Sequence, residues 1–239
     1  MGVLRRPPAR PVNFDVRPYN QPMDRLLHEV CATLRRDSRA HTILLYGSRA
    51  NGTENEFSDY DIAAFADVPV TKRDTRIIDG QFLDVFLHPK AVLRTPSKDH
   101  LTLRGSRILA QNGTEATDFL AGLEAIFQRG PEPLPADEID ARRAWAKKMA
   151  LRMRRGDIEG DFRRVWLLTA LLEDYFSVRG MWYEGPKKSF QWLRVSDTPA
   201  YSAFEEALKP NASFDAIDHI VALAVGMPAP SDHDASSAA

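Results

Sequence analysis

The first half of the chain repeats apolar positions at two different spacings. Residues 23–36 carry apolar side chains at helical spacing, whereas residues 41–47 form a short β-rich run that ends in glycine. Further along, Asp79-Gly80 separates two more β-rich runs, and an Asp-Gly pair in that position predicts a hairpin. Another strand is predicted at 106–113. Because a hairpin replaces a regular crossover, the pattern predicts a mixed β-sheet with flanking helices.

Strand signals stop after a proline-rich segment in the middle of the chain. Pro131, Pro133 and Pro135 mark this segment as a linker. Residues 141–155 place apolar side chains on one helical face. Residues 161–178 are apolar nearly all round, which is typical of the central helix of a bundle. The second half is therefore predicted to be helical.

These patterns together predict an α+β chain with two domains. A mixed-sheet domain is expected at 1–130 and an all-helical bundle domain at 131–228, followed by a disordered tail at 229–239. The first twenty residues are rich in proline and arginine, so they are expected to wrap the surface or stay mobile.

Composition narrows the classes of function. The 239 residues include 32 basic and 33 acidic side chains, and the net charge of -1 gives the whole molecule no general attraction for nucleic acid or an anionic membrane. The single cysteine, Cys31, excludes an internal disulfide and suits a reducing compartment. No apolar run approaches the roughly 18 residues of a membrane span, and the first residues lack the apolar centre of a secretory signal. We therefore expect a cytoplasmic protein without membrane contact.

Two aspartates separated by one residue follow the glycine that ends the first strand. Asp59 and Asp61 stand in a segment that resembles a second strand, where alternate side chains share a face, so the two carboxylates are expected side by side. Like charges at that distance raise each other's pKa unless a cation lies between them. Oxygen ligands without nearby histidine or cysteine favour Mg²⁺, which completes its coordination with water and substrate phosphates.

A third acid and a small-residue turn complete this candidate site. Asp84 lies in an apolar strand and can reach the pair if the two strands are neighbours, and three carboxylates can hold two metals. Gly47 allows a close approach of the backbone to a phosphate, Ser48 can cap the next helix, and Arg49 adds a cation. A Gly-Ser alone is usually a turn, and an Asp-x-Asp alone is usually a solvated strand end. Their order, with the third acid following, favours a phosphate and metal site.

The segment GSRANGTENEFSDYDI resembles the signature of the DNA polymerase β-type nucleotidyltransferase superfamily. In that signature Gly-Ser is followed by Asp-x-Asp and then by a third aspartate on a later strand. The resemblance assigns nucleotide binding to Gly47 and Ser48, and it assigns metal binding and catalysis to Asp59, Asp61 and Asp84. It implies a nucleoside triphosphate substrate.

The second half resembles a narrower group. Its segment SVRGMWYEGPKKSFQWL is similar to the helical domain of aminoglycoside nucleotidyltransferases, in which a glycine-turn-lysine segment followed by a tryptophan lies beside the nucleotide. The resemblance assigns a triphosphate contact to Lys187, or to Lys188 if the register differs by one residue.

The two resemblances imply an enzyme that transfers a nucleoside monophosphate, AMP from ATP, to a hydroxyl of a small molecule such as an aminoglycoside. A cleft between the two domains would position the reactants with the help of metal ions. The general base is open among Asp140, Glu173 and Asp174, although for each of them helix capping or simple exposure is the commoner explanation. A second hypothesis is a regulatory or antitoxin-like member that binds a protein partner or modifies it with AMP. An enzyme that extends nucleic acid is disfavoured by the net charge of -1.

Three further features have both a functional and an ordinary explanation. His88 shares a strand face with Asp84, and it either lines the site or ends the strand. Trp182, Tyr183 and Trp192 either stack on a base or pack in the helical domain. A basic helix could bind a triphosphate or RNA, although a solvated helix face is the commoner explanation. Its cations are Arg142, Arg143, Lys147, Lys148, Arg152, Arg154 and Arg155.

Overall fold

The structure is a computed structural model that describes residues 24–226. The first twenty residues and the tail at 229–239, for which mobility and disorder were expected, lie outside the described residues. Contacts between residues divide the chain into two compact units, with the boundary between Arg129 and Gly130. None of the helices within 24–226 is long and apolar enough to cross a membrane.

The first unit begins with a helix and continues into a five-stranded sheet. Asp24 caps the first helix, because its carboxylate accepts a hydrogen bond from the Leu27 backbone N–H at 2.9 Å. The helices are α1 (Arg25–Asp37), α2 (Ser48–Asn51) and α3 (Glu115–Arg129), with 3-10 helices at Lys90–Arg94 and Lys98–Leu103. The strands are β1 (Thr42–Tyr46), β2 (Tyr60–Ala66), β3 (Lys72–Ile78), β4 (Gln81–Pro89) and β5 (Arg107–Ala110).

The sheet has the order β3-β4-β2-β1-β5 and is mixed. Strand β2 pairs in parallel with β4, whereas the other neighbouring strands pair antiparallel. Asp79 and Gly80 connect β3 to β4 with φ angles of 51° and 77°, the left-handed values that a tight hairpin turn requires. The predictions of a hairpin and of a mixed sheet are therefore confirmed.

Alternation along β2 sends side chains to opposite faces of the sheet. Ile62 and Ala64 belong to a buried cluster with α1, whereas Ala63 and Phe65 belong to a second buried cluster with α3. Asp61 precedes Ala63 by two residues, so it projects from the same face as Ala63 and Phe65. The fold thus places a carboxylate near the start of a strand whose next residues on that face are fully buried.

The second unit is built from helices over residues 130–226, which confirms the α+β class with a helical second half. Helix α4 begins at Ala136, earlier than the sequence pattern indicated, because Asp137 and Glu138 in its first turn suit the positive end of the helix dipole. The helices are α4 (Ala136–Arg152), α5 (Ile158–Ser177), α6 (Pro186–Ser196), α7 (Thr198–Ala207) and α8 (Phe214–Val225), with a 3-10 helix at Met153–Arg155.

Helix α5 differs from its prediction. Leu167 and Leu171 lie in the apolar core of the second unit, but Phe162 and Trp166 are 67% and 52% exposed. The prediction of a central helix is therefore met on one side of α5 only, because the side with Phe162 and Trp166 is exposed. An apolar pattern on every side of a helix reveals which side chains are hydrophobic, but it does not reveal which of them other helices cover.

Candidate active site

The candidate site begins at the corner between β1 and α2. Gly47 has φ 72° and ψ -154°, and an added Cβ there would overlap Asp61 Oδ2 and lie 3.1 Å from Asp61 Cγ. The backbone conformation and the contact with the carboxylate both require glycine at this position. Ser48 is the first residue of α2, because Gly47 itself occupies the N-cap position, without a side-chain hydrogen bond. The expectation that Ser48 caps this helix is therefore wrong, and the four residues of α2 make only one turn.

Three strands bring polar side chains into one row beside this corner. Asp61 of β2 pairs in register with Asp84 of β4 on one side and with Tyr46 of β1 on the other. Register partners on neighbouring strands lie about 4.8 Å apart and project from the same face, so these three side chains are immediate neighbours. Asp59 is exposed in the loop just before β2, which begins at Tyr60, so it does not lie inside the strand as expected.

The electrostatics of this row favour a cation. Burial first, and then the nearby carboxylates of Asp59 and Asp84, raise the pKa of Asp61 to about 6. Burial, followed by Asp61 and Asp84, also raises the pKa of Tyr46. The surroundings therefore disfavour an ionised Asp61 unless positive charge is present. Sequence reasoning missed Tyr46, although its position directly before Gly47 at the end of an apolar strand is the signal that could have found it.

Arg73 of β3 supplies positive charge to this row. Its Nε donates a hydrogen bond to Asp84 Oδ1 at 2.9 Å, and its Nη2 donates one to Asp84 Oδ2 at 2.7 Å. The guanidinium also lies over the Phe86 ring, with its central carbon 5.1 Å from the ring centroid. Sequence reasoning missed Arg73, because only the register of β3 on β4 brings it beside Asp84.

The donor set of the row fits a hard divalent cation. Asp59, Asp61 and Asp84 offer carboxylate oxygens, and the raised pKa of Asp61 marks a group that lacks compensating positive charge. Within residues 24–226, no group of three or more histidine, cysteine or acidic side chains is already arranged as a metal site. Both oxygens of Asp84 accept hydrogen bonds from Arg73, so Arg73 and a metal on Asp84 would compete for these oxygens. Mg²⁺ in particular stays a prediction.

Arg49 has protein partners at the same corner. Its guanidinium donates hydrogen bonds of 3.1 and 2.9 Å to the Ser58 carbonyl oxygen and one of 2.7 Å to Gln81 Oε1. It also lies over the Tyr60 ring, 3.9 Å from the centroid. These contacts hold the loop before Asp59 against the start of β4. Arg49 therefore has a structural role, and its assignment to the triphosphate stays a prediction.

His88 lies on the same face of β4 as Asp84 but four residues further along. At about 3.3 Å per residue, the two positions are about 13 Å apart along the strand. The His88 ring stacks on Phe65 and Phe86, with ring centroids 5.4 and 6.0 Å apart, and burial and the neighbouring His100 lower its pKa. His88 therefore belongs to an aromatic cluster at the end of β4. This position agrees with the ordinary explanation, in which the histidine ends the strand.

Two lysines of the second unit stand in the first turn of α6. The Nζ atom of Lys188 pairs with Glu184 Oε1 at 2.8 Å, and the side chain of Lys187 is exposed. Cations at a helix N-terminus face the positive end of the helix dipole, so an anionic ligand would stabilise them there. The role of Lys187 toward a triphosphate stays a prediction.

Asp174 is the buried member of the three candidate general bases. Its carboxylate accepts a hydrogen bond from Arg142 Nη1 at 2.5 Å. Burial raises the pKa of Asp174, and Arg142 opposes that shift. Asp174 and Arg142 line a surface pocket of about 320 Å³ between α4 and α5, whose walls include Trp145 and Trp166.

Several other residues of the second unit have contacts that match their ordinary explanations, which are core packing, exposure to solvent or ion pairing. Trp192 and Tyr183 pack against its apolar core. Glu173 and Asp140, the other candidate bases, are exposed, and Asp140 pairs with Arg143 at 3.0 Å. Four cations of the basic helix have acidic partners within the unit, namely Arg142, Arg143, Arg154 and Arg155.

Comparisons with known proteins bear on the first unit. Among solved structures, one match is a nucleotidyltransferase-like protein from Exiguobacterium sibiricum 255-15, with 12% sequence identity and a TM-score of 0.40, and the match covers 83% of this chain and 71% of that chain. No curated protein matches the chain. Residues 27–110 match the family model described as a nucleotidyltransferase domain. This segment of the first unit is therefore similar to a nucleotidyltransferase domain.

Proposed function

We propose that the chain transfers AMP from ATP to a hydroxyl group of a small molecule of the aminoglycoside class. One observation carries the proposal: Asp61 and Asp84 stand in register on parallel strands, with Asp59 at the entry to β2 and Gly47 against the Asp61 carboxylate. Such a row combines excess negative charge with a turn that admits a phosphate. The nucleotidyltransferase domain at 27–110 supports nucleotide transfer in general.

Three side chains would hold Mg²⁺ in a two-metal arrangement, namely Asp59, Asp61 and Asp84. When bound, the metals supply positive charge that lowers the pKa of the attacking hydroxyl and stabilises the leaving pyrophosphate. The absence of a side chain at Gly47 lets the backbone N–H groups of the corner approach the triphosphate. Arg49 keeps the loop before Asp59 in place through its bonds to Ser58.

The reaction forms one bond and breaks one. The acceptor oxygen attacks the α-phosphorus of ATP, the bond from that phosphorus to the bridging oxygen breaks, and pyrophosphate leaves. The proton of the acceptor hydroxyl passes to a general base, for which Asp140, Glu173 and Asp174 are the candidates.

The pocket between α4 and α5 supports a cationic acceptor. Glu138 and Asp174 contribute two carboxylates, and both accept hydrogen bonds from Arg142, at 2.9 and 2.5 Å. The single guanidinium therefore leaves one of the two negative charges of the pocket uncompensated. Trp145 and Trp166 add aromatic rings whose centroids lie 5.5 Å apart. Aromatic faces beside excess negative charge favour ammonium groups, which aminoglycosides carry.

A protein acceptor is the second candidate, and the exposed side of α5 favours it. Ile158, Phe162 and Val165 are 86%, 67% and 62% exposed, and their spacing puts them along one side of the helix. An exposed apolar face of this kind suits a protein partner, which the chain would bind or modify with AMP.

The test is to incubate the protein with ATP, Mg²⁺ and a panel of aminoglycosides, then measure pyrophosphate release and the mass of each acceptor. We expect release that depends on the acceptor, an acceptor heavier by one AMP, and neither result with Asp61→Asn. AMP on a protein from an added lysate fraction, with no modified drug, would favour the second candidate. ATP binding without either product would contradict both.

A further inference from the structure

Arg73 holds Asp84 from the edge of the sheet. Strand β3 is the outermost strand on this side, and Arg73 reaches from it to the carboxylate on β4. Its two hydrogen bonds, of 2.9 and 2.7 Å, use both oxygens of Asp84. Those oxygens are also the ones that Asp84 would offer to a metal. The guanidinium and a divalent cation therefore compete for the same two atoms.

The ion pair leaves this site with an excess of negative charge. Asp59 and Asp61 add two carboxylates to that of Asp84, whereas Arg73 carries one positive charge. A divalent cation brings more positive charge to the row and contacts carboxylate oxygens directly. Competition for Asp84 therefore favours the metal when it is present at sufficient concentration.

Because Arg73 is exposed, its separation from Asp84 costs little free energy. The Arg73 side chain is 60% exposed and that of Asp84 is 18% exposed. Ion pairs with an exposed partner add little to folding stability, because water and salt screen them. The ring of Phe86 lies beneath the guanidinium and gives Arg73 a contact that does not depend on Asp84. Arg73 can therefore leave the carboxylate and stay beside the site.

We propose that Arg73 exchanges partners during nucleotide binding: it pairs with Asp84 in the metal-free protein and passes to the triphosphate when metal and nucleotide bind. This inference rests on the proposed function. The guanidinium fork that fits two carboxylate oxygens fits two phosphate oxygens equally well. Arg73 thus balances the negative charge of Asp84 before binding and contributes to binding of the triphosphate afterwards.

The test compares two affinities, each without turnover. Mn²⁺ is titrated alone, with its free concentration followed by electron paramagnetic resonance. The non-hydrolysable analogue α,β-methylene-ATP is then titrated at saturating Mn²⁺ by calorimetry. We expect Arg73→Ala to tighten Mn²⁺ binding about tenfold and to weaken analogue binding about tenfold, which are effects of opposite sign from one substitution.

Two matched variants serve as controls. Arg76→Ala removes the same charge from the same strand, but Arg76 is in register with Leu83 on the opposite face and pairs with Asp74, so both affinities should stay unchanged. Arg73→Lys keeps the charge but loses the fork, so it should fall between the parent and Arg73→Ala in both titrations.

Three outcomes would overturn the exchange. Unchanged or weaker Mn²⁺ binding in Arg73→Ala would mean that Arg73 does not compete with metal. Tighter binding of both ligands would mean that Arg73 only occupies Asp84 and never contacts the triphosphate. Equal effects of Arg73→Ala and Arg76→Ala would mean that the affinities respond only to the loss of one positive charge. Failure of the proposed function looks different, since the parent protein would then bind Mn²⁺ but no nucleotide.

Discussion

Arg73 of the first unit and Arg142 of the second both bind acidic side chains, but in different surroundings. The side chains of Arg73 and Asp84 are 60% and 18% exposed, whereas those of Arg142 and Asp174 are 28% and 7% exposed. Arg73 gives both of its hydrogen bonds to Asp84, while Arg142 divides its bonds between Asp174 and Glu138. The same two residue types thus form one pair at a sheet edge and one pair between helices.

The difference shows how burial decides what an ion pair can do. Breaking a buried pair leaves an uncompensated charge and costs about 3–5 kcal/mol, whereas exposed pairs contribute about 0–1 kcal/mol. We therefore expect the pair of Arg142 and Asp174 to be a fixed part of the helical unit. The pair of Arg73 and Asp84 is free to open for a ligand. The ion pair of the candidate site is therefore the weaker of these two.

The largest effect is expected where the first unit loses a carboxylate. Asp61→Asn should lower the rate of AMP transfer by at least about 1,000-fold, or about 4 kcal/mol, because it removes a ligand of the proposed metals. Asp59→Asn should act in the same way. The melting temperature of Asp61→Asn should rise by about 2 °C, since burial and two neighbouring carboxylates disfavour the charge that it removes.

Pyrophosphate release and thermal unfolding check this prediction together. Asp74→Asn is the matched control, because Asp74 stands on β3, pairs with Arg76 and projects from the opposite face to Asp84. It should change neither quantity. A transfer rate in Asp61→Asn within about tenfold of the parent would contradict the metal assignment.

The next largest effect separates the two ion pairs by stability. Arg142→Ala should lower the free energy of unfolding by about 3 kcal/mol, because it leaves the buried Asp174 carboxylate without its cation. Arg73→Ala should change it by less than about 0.5 kcal/mol. Urea denaturation measures both. Adding Asp174→Asn to Arg142→Ala should restore part of the loss, and equal losses in the two single variants would remove the distinction between the pairs.

A smaller effect concerns the second unit and the nucleotide. Lys187→Ala should weaken ATP binding by about 1.5–3 kcal/mol, as expected for the loss of hydrogen bonds to a charged group, and should leave the melting temperature unchanged. Titration calorimetry with ATP and Mg²⁺ provides the measurement.

Lys188→Ala is the control, because Lys188 already pairs with Glu184 and points about 100° away from Lys187 around the helix. Weaker binding in Lys188→Ala alone would mean that the assignment is displaced by one residue. No change in either variant would remove the contribution of α6 to nucleotide binding.

Local signals in the sequence predicted much of the first unit. Asp79-Gly80 indicated the hairpin, and the glycine at position 47 indicated the corner after β1. Ile62 and Ala64, which alternate with Asp61 along the strand, are buried. These features depend on residues close together in the chain, and period-2 alternation and turn chemistry report them directly.

Contacts across strands could not be predicted in the same way. Arg73 meets Asp84, and Tyr46 meets Asp61, only because of the register of two strand pairs. The partners of Arg49 likewise come from a distant part of the chain, so its sequence position suggested a free cation. A motif therefore indicated the acids of the candidate site, but it did not indicate the charge that balances them.

The most direct test of nucleotide transfer uses ATP labelled in parallel at the α- and the γ-phosphate, with Mg²⁺ and an acceptor aminoglycoside. The proposed function predicts α-label covalently attached to the acceptor, γ-label released only as pyrophosphate, and neither product with Asp61→Asn. The γ-label on the acceptor would show phosphoryl transfer instead. That result would contradict the role assigned here to the carboxylates of Asp59, Asp61 and Asp84.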